Sequence, residues 1–95
     1  MRNTHYHPGS VEGRVKDIIL QHTLQLWKKA DLTLNLSFLN DGLGLDSVEL
    51  VEVIDECEDI FNVHIFSEFL ETPRLTIGKL IHFIEKQLEE NKPGK

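Results

Sequence analysis

The sequence predicts an all-α fold, a small antiparallel four-helix bundle with three longer helices and one short one, and a long loop between the first and second helices. Three observations carry that expectation. Apolar residues recur at helical spacing in three separate stretches, no two segments alternate as paired strands would, and turn residues sit between the stretches. Ninety-five residues, of which 40% are hydrophobic and 27% charged, suit one small domain with a modest core.

The first nine residues show no periodicity and end in Pro8-Gly9, so residues 1–9 read as a flexible tail that closes in a turn. His5 and His7 offer two ligands where zinc usually takes four, and no metal site is expected there. From Ser10, a plausible N-cap, the positions Val11, Val15, Ile18, Ile19, His22 and Leu26 recur at helical spacing, and Leu20, Leu24 and Trp27 widen the apolar face. They predict a first helix of four to five turns. Leu32, Leu34, Leu36 and Phe38 then alternate with polar residues. A single strand would leave its backbone groups unpaired, so a long loop that lays leucines on a helical core is the better reading. Asn40-Asp41-Gly42 and Gly44 mark turns near its end.

A second helix is expected from about Asp46 to Phe61, with Asp46 or Ser47 as its cap and Glu49 placed for a capping box. Leu50, Val53, Ile54, Cys57 and Phe61 gather on one side; Glu49, Glu52, Asp55, Glu56 and Asp59 fall in an opposing arc of roughly 120°. A short helix over Ser67–Glu71 stops at Thr72-Pro73. The last helix starts near Thr76, presents Ile77, Leu80, Ile81, Ile84 and Leu88, and ends at Glu89-Glu90-Asn91. The bundle is thus expected over residues 10–91, with a tail at 92–95.

Charge is the feature that helix formation does not absorb. From Asp46 to Asp59 there are seven carboxylates and no Lys or Arg, although like charges three or four residues apart cost about 0.2–0.5 kcal/mol per pair. Asp46 and Glu49 suit a helix start, whereas Glu58 and Asp59 have the wrong sign for a C-terminal turn. Between Ala30 and Pro73 the chain holds eleven acidic residues and no Lys or Arg, within a net charge of −6. Such segregation steers basic partners to the middle of the chain and argues against nucleic acid.

Enzyme chemistry finds little support in these residues. Gly44-Leu45-Asp46-Ser47-Val48 lacks the second glycine and the strand of a nucleophile elbow, no phosphate-cradling Gly-rich loop with Lys occurs, and neither glycine register fits a twelve-residue calcium loop. Cys57, the only cysteine, falls on an apolar face and reads as a small core residue. A chain with one cysteine, no apolar run long enough to span a membrane and no secretory signal is expected to be cytoplasmic and monomeric.

Leu43-Gly44-Leu45-Asp46-Ser47-Val48-Glu49, continued by Val51-Glu52-Val53 and later by Glu58-Asp59-Ile60-Phe61, resembles the phosphopantetheine attachment region of acyl carrier proteins. The resemblance spans roughly Val11 to Leu88. It implies that a phosphopantetheinyl transferase joins a 4′-phosphopantetheine arm to Ser47, and that the arm's thiol holds acyl groups as thioesters for fatty-acid, lipid or polyketide enzymes. It further implies that Asp46, Glu49, Glu52, Glu58 and Asp59 meet basic patches on partner enzymes; Asp55 and Glu56 extend that acidic face. Leu50, Ile54, Phe61, Phe66, Phe69, Ile77, Leu80 and Ile84 would either shelter an acyl chain or simply pack the core. Val48 stands where the family commonly has Leu and Phe66 where it often has Pro, differences that keep a specialised carrier open beside the general fatty-acid one, and Asp55 stands where an apolar contact residue is common, a difference that bears on partner choice. Two alternatives stay open: a peptidyl or aminoacyl carrier, including the D-alanyl type, and an acidic helical interaction module in which Ser47 is only a cap.

Overall fold

The computed structural model describes residues 8–23 and 26–90. It is all-helical: α1 (Pro8–His22), α2 (Ser47–Phe61), a short α3 (Phe66–Leu70) and α4 (Ile77–Glu90), with one 3-10 turn at Lys29–Asp31. The four-helix expectation is met, and among the described residues no strand forms. α1 packs against α2 and α4, and the short α3 bridges α2 and α4.

The first helix differs from its expected bounds at both ends. It begins at Pro8 rather than after a cap at Ser10. Proline suits a first helical position because its missing N–H would have no acceptor there and its φ is already helical. The helix stops at His22, well short of Leu26 and Trp27. Just past its end the Thr23 hydroxyl donates to the Leu20 carbonyl at 3.2 Å. Leu26 is consequently 83% exposed and Trp27 half-buried, while Leu24 lies outside the described residues, as do His5, His7 and the expected tail at 92–95.

The segment whose leucines alternate is a loop, as expected, but its backbone is not idle. Leu36 and Leu34 carbonyls accept the N–H groups of Ile77 (3.0 Å) and Gly78 (2.8 Å), and Phe38 N–H donates to the Leu75 carbonyl (2.9 Å). The Thr76 hydroxyl accepts Lys79 N–H at 3.2 Å and the Thr76 carbonyl accepts Leu80 N–H at 3.1 Å. Every N–H in the first turn of α4 therefore has an acceptor, two of them supplied by the loop. Only glycine fits at position 78, since a Cβ there would stand 2.9 Å from the Leu34 carbonyl oxygen. The alternation is incomplete in burial: Leu32 and Phe38 are fully buried, Leu36 is half-buried and Leu34 is 47% exposed.

The core gathers Val11, Val15 and Ile19 of α1, Val53 and Ile54 of α2, Phe69 of α3 and Leu80 and Ile84 of α4, all fully buried. Phe69 joins Phe38 from the loop edge-to-face at 5.9 Å and Phe83 of α4 at 6.5 Å. One five-residue helix cannot persist alone, so this aromatic trio is what makes α3 part of the bundle.

Candidate phosphopantetheine attachment site

The start of α2 is built by its two first acids. Asp46 is the cap: its Oδ1 accepts Glu49 N–H at 2.8 Å, and Glu49 Oε1 accepts Asp46 N–H at 3.0 Å. This reciprocal box leaves Ser47 as the first helical residue rather than the cap. Ser47 is exposed, and its hydroxyl has no hydrogen-bond partner among the described residues. The Ser47 and Val48 N–H groups also lack acceptors among the described residues, which gives an attached phosphate free donors at the positive end of the helix. A phosphate ester at Ser47 therefore fits the residues present.

The preceding loop holds this junction in place. The Leu39 carbonyl accepts N–H groups of Gly42 (2.9 Å) and Gly44 (2.7 Å), Ser37 carbonyl accepts Leu43 N–H (2.8 Å), and Phe38 carbonyl accepts Leu45 N–H (2.9 Å). Gly42 sits so near that a Cβ would come 2.1 Å from the Ser37 carbonyl oxygen. Leu43 and Leu45 are buried on either side of Gly44, whose φ is 77°. The turn is thus a tied structure anchored in the core, with Asp46 and Ser47 at its outer end.

With this geometry in view, comparison with known proteins decides the family. The family model described as "Phosphopantetheine attachment site" matches residues 15–84, well over half of the chain. An acyl carrier protein of Amoebophilus asiaticus (strain 5a2) is 38% identical over 61 residues, covering 64% of this chain and 74% of the relative. The chain belongs to the acyl carrier protein family. Its prosthetic group is accordingly 4′-phosphopantetheine. No solved structure matches the chain.

The acids expected on this carrier's docking face fall into two groups. Glu49 and Asp46 are tied in the capping box. Glu56 Oε1 lies 2.8 Å from His22 Nε2 of α1, and Glu52 Oε1 lies 3.9 Å from His22 Nδ1. Glu58 is engaged further: its Oε2 accepts the N–H groups of Ile65 (2.7 Å) and Phe66 (3.0 Å), so it holds the start of α3. Asp55 and Asp59 are exposed and have no partner among the described residues. In the sequence Glu58 reads as one more surface acid because the N–H donors it serves lie seven and eight residues away, across a turn that no local pattern reveals. His22 and Gln87 were missed for the same reason. The Gln87 amide bonds both the N–H and the carbonyl of His64, the latter at 3.0 Å, and so clamps the α2–α3 turn from α4.

Of the residues considered for an acyl pocket, Leu50, Ile54, Phe61, Phe69, Ile77, Leu80 and Ile84 are buried together in the core. Phe66 is not among them: at 39% exposed it lies at the first position of α3 and turns outward. Cys57 is fully buried on the apolar face of α2. Burial, with Glu56 and Glu58 adding negative charge nearby, pushes its thiol up to about 12. On α4, burial and then Glu12 raise the Glu85 carboxyl above its ordinary range.

Proposed function

We propose that this carrier holds acyl groups as thioesters on a phosphopantetheine arm joined to Ser47, and that it has no catalytic site of its own. The observation that carries this reading is the unbonded Ser47 hydroxyl at the first position of α2, left free because Asp46 does the capping. In the alternative where Ser47 serves only as a cap, its side chain would accept an N–H from the first turn; it does not. Once attached, the arm supplies the thiol that carries cargo.

The protein's own residues supply presentation and recognition. Capping fixes the first turn of α2, the buried Leu43 and Leu45 fix the chain before it, and Ser47 Oγ projects from a rigid corner. From that corner Val48, Glu52, Asp55 and Asp59 follow at i, i+4, i+7 and i+11, a single stripe of α2. Val48 is 65% exposed and Val51 beside it 41%. An apolar patch next to the attachment point, continued by Glu52 and by the unpaired Asp55 and Asp59, suits partners with a basic surface around an apolar centre. Such rim charge favours fast encounter and easy release, which a carrier visiting several enzymes requires. These partners would be the phosphopantetheinyl transferase and the acyl-transfer and elongation enzymes of fatty-acid, lipid or polyketide synthesis.

The test is incubation with coenzyme A and a phosphopantetheinyl transferase of broad specificity, followed by intact-mass measurement. The expected result is gain of one phosphopantetheine, absent in Ser47→Ala. Modification of Ser47→Ala, or none of the unaltered chain with several transferases, would refute attachment at Ser47. Loading of the modified protein by acyl-carrier synthetases but not by amino-acid-activating enzymes supports acyl cargo; the reverse would overturn it.

A further inference from the structure

Between α1 and the C-terminal half of α2 lies an open groove of about 710 Å³, lined among others by Arg14, Asp17, Trp27, Lys28, Glu56 and Ile60. It does not belong to the attachment site. Glu56 follows Ser47 by nine residues, about half a turn around α2 and about 13 Å along it, so the groove opens away from the arm.

The charges in the groove are unevenly committed. Asp17 pairs with Lys29 at 3.0 Å, and Glu56 Oε1 lies 2.8 Å from His22 Nε2, so each carboxylate already has a hydrogen-bonding partner. The Arg14 guanidinium and the Lys28 ammonium, both exposed, have no ion-pair partner among the described residues. This corner of an acidic protein is locally basic: Arg14, Lys28 and Lys29 line the groove with only Asp17 and Glu56 as acids. Apolar surface accompanies the cations. Trp27 and Ile60 are half-buried in the lining, and Leu26, next in sequence to Trp27, is 83% exposed.

We propose that this groove is a second docking surface, for an acidic protein segment that carries an apolar anchor. Two unpaired cations beside an indole and aliphatic side chains complement carboxylates flanking a large apolar residue. A volume of this size also suits a small amphipathic anion. The protein segment is favoured because Leu26 stands outside the lining, where only a surface extending past the groove would cover it. The carrier then has two faces of opposite sign, acidic α2 for partners that act on the arm and this corner for one that need not touch it.

Trp27 is the only tryptophan in the chain, so its emission reports on the groove directly. The probe is a short synthetic peptide of Glu with Leu at helical spacing, titrated against the full chain; controls are the Lys/Leu counterpart and decanoate. The Glu/Leu peptide is expected to shift Trp27 emission saturably. Arg14→Gln with Lys28→Gln should weaken it about threefold to tenfold, the scale of two exposed ion pairs. Leu26→Ser should weaken it independently. All three positions are exposed, and phosphopantetheine transfer to Ser47 should proceed unchanged in these variants, so failure here is distinct from failure of the carrier reading. An equal shift with the Lys/Leu peptide, or an unmoved midpoint in the Arg14/Lys28 variant, would overturn the proposal. So would a shift that decanoate saturates and the Glu/Leu peptide does not, which would assign the groove to a small amphipathic anion.

Discussion

The Asp46 carboxylate accepts the backbone N–H of Glu49 at 2.8 Å, and by doing so it separates helix capping from the chemistry of the next residue. Ser47 then has no structural task. Ser47→Ala is expected to leave unfolding free energy within about 0.5 kcal/mol, as for surface changes away from caps and cores. Asp46→Ala removes the cap and should cost about 1 kcal/mol. Urea unfolding of both variants checks this: a larger loss for Ser47→Ala than for Asp46→Ala would mean that the serine hydroxyl caps after all.

Glu58 should behave as a structural residue. Its Oε2 serves two backbone donors, one belonging to the buried Ile65. Glu58→Ala leaves both without that acceptor and is expected to cost about 1–3 kcal/mol, with faster amide exchange across Phe66–Leu70. Glu58→Gln keeps an acceptor oxygen and should retain most of the stability and protection. If Gln and Ala variants lose partner binding equally while α3 amides stay protected in both, Glu58 acts through its charge toward partners instead.

Asp55 and Asp59, by contrast, are free to meet a partner. Asp55→Asn with Asp59→Asn should slow association with a phosphopantetheinyl transferase and flatten its dependence on salt, with little change in dissociation. Stopped-flow or surface-plasmon kinetics at two ionic strengths would show it. Glu56→Gln, already paired to His22, should change the association rate less. Equal effects from Glu56→Gln and the Asp55/Asp59 pair would mean that His22 does not withdraw Glu56 from the face.

The bundle was legible where periodicity is long. α2 and α4 stand within a residue or so of their expected limits because each has a full apolar stripe and a local start signal, Asp46 for one and Thr76 for the other. The length of α1 was not legible because Leu26 and Trp27 continue its period by coincidence past the helix's end at His22, where Leu26 is exposed. At the site, Asp46, Ser47 and Glu49 were readable as a local motif. What Glu56 and Glu58 do was not, since His22 lies 34 residues from Glu56 and the Ile65 N–H lies past a turn. Pattern reports which face a carboxylate occupies, not whether a distant donor has claimed it.

Gly78 should resist substitution although it lies inside a helix. Alanine would ordinarily stabilise a helix interior by about 1 kcal/mol. Here its Cβ would press on the Leu34 carbonyl oxygen at 2.9 Å and Leu34 Cβ at 3.1 Å, pushing the loop off the first turn of α4. Gly78→Ala is therefore expected to destabilise by about 1–3 kcal/mol in chemical unfolding. A variant more stable than the original would show that the loop yields without losing its bonds to Ile77 and Gly78.

Cys57 should be silent in the folded protein. Its thiol, pushed to about 12 from 9.0 chiefly by burial, stays protonated where an exposed thiol would begin to ionise. Alkylation with iodoacetamide at pH 8 should modify the arm's thiol alone in the phosphopantetheinylated protein, and nothing in the unmodified one, until denaturant is added. The same shift sets a direction for stability. Unfolding at alkaline pH releases the Cys57 proton, so its contribution is intact below about pH 9 and falls by up to about 1.4 kcal/mol per pH unit from there toward pH 12. Cys57→Ala removes that contribution and leaves a cavity, so the variant should be less stable at pH 7 yet lose less between pH 9 and pH 11. A parallel decline in both proteins would show that Cys57 ionises while folded.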